Sequence, residues 1–486
     1  MNDDFRDTGS EVLKKPFYFL LLFFTAIFLA VAISSKGFVI GFVIIILPGI
    51  VWVLFRIFLD PRFGLYSAFA FSFFAIGITR YITANIPFGL AVDAILALVL
   101  IALILGKGRK LNWKATGNDF TVASLIWLAY TIMEIGNPES VSFAAWFYAM
   151  RGVALYQILM ITTGFLLLKD KKDLKLFLVI WFAVSVLGAL KGIQQIQIGT
   201  DPWETAWLDN GGALTHRIQG KLRAFSFYSD AGQYGASMGH VALVAAIMGL
   251  GPGPKRRKRL LMIVAVICIM GMLFSGTRGA MFVPASGAML YLFLSKNFKV
   301  FVIGIVFVGG LYGFLRYTTI ANNNYQIYRL RTAVQPSEDR SFQVRLENQA
   351  KLKVYLANRP IGGGVGSAGN WGMRFSPNTF LAQTPTDSWF VKIWAEMGVV
   401  GLLLHLIILF YLLGRCCLIV WNLQDPVIRQ IMAGLSAGIF GIMVASYANG
   451  LYGQMPTGMV IYLSYVFIRI SPLIENSLPL RPSLSK

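Results

Sequence analysis

Ile86-Pro-Phe-Gly-Leu-Ala-Val-Asp-Ala-Ile-Leu-Ala-Leu-Val-Leu-Ile-Ala-Leu-Ile-Leu105 runs directly into Gly106-Lys-Gly-Arg-Lys110, and Lys114 follows. Twenty helical residues rise about 30 Å, the thickness of a bilayer's hydrocarbon core. The cations that follow are those of a short cytoplasmic loop under the positive-inside rule. The same pairing recurs along the whole chain. Fourteen candidate spans lie at 17–35, 38–57, 63–79, 86–105, 119–135, 146–168, 174–197, 233–250, 260–275, 279–295, 299–317, 389–413, 429–448 and 455–471. The expected fold is all-α, a polytopic membrane helix bundle of about 14 transmembrane helices.

Composition agrees. The 486 residues are 56% hydrophobic and only 13% charged, with a mean hydropathy of +0.66. A soluble domain of this size could not hide that much apolar surface, whereas a lipid bilayer can. The net charge of +21 would suggest a nucleic-acid partner in a soluble protein. Here it reads as inner-loop Lys and Arg, with anionic lipid or phosphate as added partners and no nucleic acid. The first apolar run, Phe17 to Ile33, follows Lys14 and Lys15 without a small-residue cleavage site and is expected to be a retained span. Cys268, Cys416 and Cys417 make no outward-facing pair. His216, His240 and His405 are too scattered for a metal cluster, so neither metal nor cofactor is expected.

Starting with the N-terminus inside places both termini in the cytoplasm and most of the 43 Lys and Arg residues in short inner loops. Two outer segments, 199–232 and 318–388, are long and also basic, against that rule, and long loops are more often functional than idle. The chain therefore divides into an N-terminal bundle (1–198), central spans (199–317), a large periplasmic loop (318–388) and C-terminal spans (389–486). Within the loop, Leu346, Ala350 and Val354 recur at helical spacing, with Arg345, Lys351 and Lys353 between them. They predict an amphipathic helix over 341–358, ended by Pro360 and the following glycines.

Several groups could carry chemistry. Gly364-Val-Gly-Ser-Ala-Gly369 fits GxGxxG, but it follows a helix and Pro360 rather than a strand, so it reads as a turn. Arg278, in Phe274-Ser-Gly-Thr-Arg-Gly-Ala280, sits at a tight outer tip near the bilayer interface, where an arginine needs a partner. Its planar fork suits phosphate, and the plainer alternative is a side chain snorkelling to lipid headgroups. His216, Arg217, Lys221 and Arg223 precede Ala224-Phe-Ser-Phe-Tyr-Ser-Asp-Ala-Gly-Gln-Tyr-Gly235, mixing cations for phosphate with aromatics for sugar faces. The alternative there is a solvated basic loop beside an aromatic belt. Asp387 lies at the mouth of the twelfth span and could be a general base or simply a helix N-cap. Glu396, nine residues on, falls about 13 Å deeper; an intramembrane carboxylate is a functional candidate or a buried partner of a lysine or arginine. Lys191 and Arg151, near outer helix ends, are expected to snorkel. Glu338-Asp339 reads as solvated.

These elements together resemble the O-antigen ligase and O-antigen polymerase superfamily. Ser275-Gly-Thr-Arg-Gly279 resembles its Ser-Arg-Gly element. Arg345 ahead of Asn358-Arg-Pro-Ile-Gly-Gly-Gly-Val-Gly366 is similar to its arginine, amphipathic helix and Pro-x-x-Gly-x-Gly stretch. Asp387 to Gly401 resembles its closing His-Asn, apolar, Glu-x-Gly element, with Asp387 where the family usually has histidine. Arg223 and the segment after it resemble its arginine-bearing stretch before a central span. The likeness is strongest over residues 215–413. It implies a fold like that of GT-C glycosyltransferases and a metal-free transfer outside the cytoplasmic membrane. The implied donor is an undecaprenyl-pyrophosphate-linked oligosaccharide, bound through 199–317. Arg278, Asp387 and Glu396 would be the catalytic residues, and Arg217, Arg223 and Arg345 would bind substrate. Because Asp387 replaces the ligase-like histidine, the implied reaction is polymerisation of glycan repeats. The alternatives are a ligase acting on a lipid A-core or protein acceptor and, from another class, a lipid-linked oligosaccharide flippase.

Overall fold

The computed structural model describes residues 38–81, 88–106, 111–218, 220–296 and 340–477, with isolated positions between 20 and 34 and between 302 and 331. The candidate spans at 17–35 and 299–317, Glu338-Asp339 and both termini lie outside the described residues. The other twelve candidate spans fall on helices, 63–79 only in part, and the described residues are all-α apart from one hairpin of two-residue strands.

In chain order the helices of these spans, with the loop helix α10, are α1 (Phe38–Leu59), α2 (Pro61–Ser72), α3 (Phe88–Leu105), α4 (Asp119–Met133), α5 (Phe143–Leu167), α6 (Lys171–Gln197), α7 (Ala231–Leu250), α8 (Lys255–Phe274), α9 (Phe282–Leu294), α10 (Arg340–Leu356), α11 (Trp389–Asn422), α12 (Pro426–Ala445) and α13 (Thr457–Asn476). Among the described residues seven helices are long and apolar enough to cross a bilayer: α3, α4 with its 3-10 extension to Gly136, α5, α6, α11, α12 and α13. The seven do not include α2, whose 12 residues rise only about 18 Å. The expected span at 63–79 is instead a short helix continued by turns and a 3-10 segment, Gly77–Arg80.

Side-chain caps start many of the helices. Asp60 accepts from Arg62 N ahead of Pro61, Asn118 from Phe120 N, and Asp230 from Gln233 N. Asp170 and Asp173 form a reciprocal capping box on α6. α7 and α13 are buried along nearly their whole length and form the middle of the bundle, α7 against α8 and α12, and α13 against α5. Large apolar side chains such as Ile104, Ile263, Ile407 and Phe410 face outward, as lipid-facing residues do.

Lys191 and Arg151 do not snorkel. Lys191 Nζ lies 2.9 Å from Asp201 and 3.2 Å from Glu204. Arg151 Nε lies 2.7 Å from Asp93. Each reached a carboxylate on another segment, so neither needed the headgroups.

α11 is not a continuous rod. Gly398 has φ +67°, a left-handed value inside the helix, and a methyl group there would lie 2.0 Å from Pro360 O. The break admits the glycine-rich turn after α10. Gly363 N donates to Ala395 O (3.0 Å), Gly364 N to Glu396 O (2.8 Å) and Val400 N to Pro360 O (3.1 Å). Gly398→Ala would combine positive-φ strain with a backbone clash, each worth about 1–3 kcal/mol. A fall of several degrees in melting temperature in detergent, with faster proteolysis in the loop, is expected; an unchanged melt would deny the break its role.

Candidate functional site

The start of α7 and the end of α8 hold the first half of the candidate site. The link between α8 and α9 turns at Gly276 (φ +56°), and Arg278 opens the 3-10 turn Arg278–Met281. Its side chain is half-buried. Arg223 braces this turn, its Nε donating to Ser275 O (3.1 Å) and its Nη2 to Thr277 Oγ1 (2.5 Å). Thr277 Oγ1 in turn donates to Ala231 O (3.0 Å) at the start of α7. The packing is tight because position 235 is glycine: a methyl group there would lie 2.2 Å from Ser275 Oγ. Arg217 stands exposed on a hairpin in which it pairs with Leu222. His216 is buried between Trp207 and Phe225, and its Nδ1 lies 2.9 Å from Gly212 O. Burial, aided by Arg80, pushes its pKa down to about 4 against the pull of the Gly212 carbonyl, so His216 is a neutral framework group at physiological pH.

Sequence reasoning did not single out Arg80. It is buried and donates to Ser226 O (2.5 Å) and to Tyr228 O, and its guanidinium stacks on Trp207 and Phe225. Gln195 accepts from Phe225 N (3.1 Å) and Ser226 N (2.9 Å). Together they fix the Ala224–Ser229 segment that leads into α7. Asp201 anchors the same wall: burial opposes its ionisation, but the Glu204 backbone, Lys191 and Tyr81 outweigh it and hold the carboxyl below its usual range. A glutamine in an apolar span and an arginine at a span's end were the available signals.

The second half lies at the mouth of α11. Arg345 Nε and Asp387 Oδ2 are 3.6 Å apart, with about half of the Asp387 side chain open to solvent. Asp387 is not the N-cap. That position belongs to Ser388, whose hydroxyl accepts from Val391 N, and Asp387 instead adopts φ +45°, which turns it out of the helix start. α10 carries Arg345 as expected, but the buried stripe is not Leu346, Ala350 and Val354. Val354 is 79% exposed, whereas Leu352 and Leu356 pack on Leu381, Val391 and Ala395. The same i, i+4, i+8 spacing fits Asn348, Leu352 and Leu356, a face that the polar Asn348 disguised.

Glu396 is fully buried, 3.9 Å from Lys392 Nζ, and accepts from Ala368 N at 3.3 Å. It therefore holds the segment after the glycine turn, and Gly364–Gly369 is a docked turn, not a nucleotide site. From the other side Asn137 Nδ2 donates to Ile361 O (3.0 Å) and Glu139 pairs with Arg359 (3.0 Å).

The two halves meet at the C-terminal turn of α12. Ser446 O accepts from Trp389 N (2.9 Å) and the Ser388 hydroxyl (3.3 Å), directly after Asp387. Three residues on, a methyl group at Gly279 would lie 2.7 Å from Asn449 Nδ2, and one at Gly232 3.1 Å from Asn449 Oδ1. Asn449 was not singled out from the sequence. The chain neighbours of Arg278 and of Asp387 thus pack on the same short turn.

Residues 263–406 match the family model described as O-Antigen ligase. An O-antigen polymerase of Salmonella muenchen is 28% identical over 201 residues, covering 40% of this chain and 48% of that protein. The match thus spans about half the length of the curated relative. Arg278, Arg345, Asp387 and Glu396 all fall inside the matched family segment. Both findings bear out the resemblance read from the sequence.

Proposed function

We propose, for a chain similar to the O-antigen ligase and polymerase superfamily, that it is a glycosyltransferase of the bacterial inner membrane with both termini cytoplasmic. It would act at the outer face on undecaprenyl-pyrophosphate-linked oligosaccharide and polymerise O-antigen or exopolysaccharide repeat units. The observation that carries this reading is the convergence on Ser446–Asn449 of a braced arginine turn and an exposed Asp–Arg pair.

In this scheme the lipid tail lies between helices and the pyrophosphate meets Arg278. Arg223 gives Nε and Nη2 to the turn, with Nη1 on Thr215 O (3.3 Å), and sets the height of Arg278, while Arg217 stands exposed on the neighbouring hairpin to meet the incoming anion. The acceptor hydroxyl attacks the anomeric carbon. Its proton passes to Asp387, the bond to the phosphate oxygen breaks, and configuration inverts. Arg278 stabilises the charge growing on the leaving pyrophosphate, a kind of electrostatic aid often worth about 3 kcal/mol per donor. Arg345 orients the Asp387 carboxylate. Glu396 acts at a remove, by holding the glycine turn beside the site. The scheme uses no metal.

The test is to incubate purified protein with lipid-linked oligosaccharide from the source organism and to separate products before and after mild acid. A ladder growing by whole repeats on lipid supports polymerisation. One glycan moved to lipid A-core or protein would make it a ligase. No product from folded protein and authentic donor would overturn both and favour a flippase.

A further inference from the structure

On the face opposite the Arg278 turn, the far ends of α7, α8, α9 and α12 enclose a cavity of about 300 Å³. Lys258 from α8 and Arg429 from the first turn of α12 line it, with Gln430, Tyr291, Ser295 and Gly251. Gln430 is fixed there: its Nε2 donates to Ile247 O (2.6 Å) and to the Tyr291 hydroxyl (2.8 Å), and it packs so closely that a methyl group at Gly251 would lie 2.4 Å from its Cγ. No carboxylate lines the cavity among the described residues. Asp425, one turn earlier, spends Oδ1 on Val427 N and Ile428 N (2.9 Å each). Glu475 Oε1 accepts from Gln424 N (2.7 Å) and Asp425 N, so both nearby carboxylates serve the start of α12. Nearby, Lys296 stacks on Trp421 at 4.5 Å, the pairing of cation and tryptophan found at headgroup level. Two partly buried cations from separate helices thus face one cavity whose described lining offers them no acid, which suits it to an anion.

We propose that this cavity is a binding site for a phosphate-bearing anion, with the headgroup of an anionic inner-leaflet phospholipid as the source that its position favours. Basic pockets between helices on the cytoplasmic side recognise such headgroups by charge and hydrogen bonding. The site is separate from the proposed transfer chemistry and does not depend on it.

Full-length protein purified in detergent is titrated with phosphatidylglycerol or phosphatidylcholine, and retained lipid is read by native mass spectrometry, with inorganic phosphate as competitor. Phosphatidylglycerol retention is expected to exceed that of phosphatidylcholine. Lys258→Gln should weaken it about fivefold, and Lys258→Gln with Arg429→Gln about 25-fold. Arg429→Lys should bind nearly as the wild type does. Displacement by millimolar phosphate would assign the site to a soluble phosphate compound, and resistance to it would assign a lipid; both keep the site. Equal retention by wild type and double variant overturns it. So does an equal loss in Lys255→Gln with Arg256→Gln, which would mean diffuse attraction by the basic helix start. If the double variant does not elute as a single species, Lys258→Gln alone decides.

Discussion

Arg278→Ala is expected to lower glycan product formation about 100-fold to 1000-fold while leaving membrane insertion and melting temperature close to wild type. The magnitude is that of removing one preorganised donor from a developing oxyanion. The specificity of the effect comes from the local architecture. Arg223, Ser275 and Thr277 hold the turn through hydrogen bonds that do not involve the Arg278 side chain, so truncation should not collapse it. Arg278→Lys should recover only part of the rate, because a lysine keeps the charge but loses the planar fork that meets two phosphate oxygens. Arg223→Ala is predicted to differ in kind, losing activity and thermal stability together. The measurement is initial rate with lipid-linked donor alongside a detergent melt; full activity in Arg278→Ala would end the clamp assignment.

Asp387→Asn should cost about 100-fold or more, the usual contribution of a general base, with donor affinity unchanged. The substitution is clean because asparagine tolerates the positive φ that position 387 adopts, and because the cap of α11 is Ser388. Alanine there would mix lost chemistry with backbone strain. Arg345→Gln should be milder, about tenfold, since it would release the carboxylate without removing it. A merely structural Asp387 would show the reverse pattern, with little loss for asparagine. Rates at saturating donor, measured across pH, separate the two.

The sequence made the helices legible because a membrane demands long apolar runs flanked by cations, and of the twelve described candidate spans only 63–79 broke into a short helix and turns. The tight tip bearing Arg278 and the presence of a helix at α10 were equally plain, but Asn348 hid which face of α10 is buried. What was hidden depended on partners far apart in the chain. Lys191 and Arg151 look alike whether they reach headgroups or a carboxylate on another segment. Arg80 at a span's end signalled a need for partners, but not that they would be the backbone carbonyls of residues 226–229. Asp387 sits at a helix start, so capping was a fair expectation; only the backbone turn at 387 gives the cap to Ser388. Asn449 drew no attention, because its importance lies in what packs against it.

The break at Gly398 has a bearing on traffic. The glycine turn is sewn to α11 by main-chain bonds on both sides of that break, and Asn137 and Glu139 pin it from below. In the function proposed above, this turn would be a fixed part of the site's outer cover, a roof rather than a hatch. A ligand descending from the water would have to unpick that seam. Such a roof would favour sideways entry, the route suited to a sugar carried on a long hydrocarbon tail.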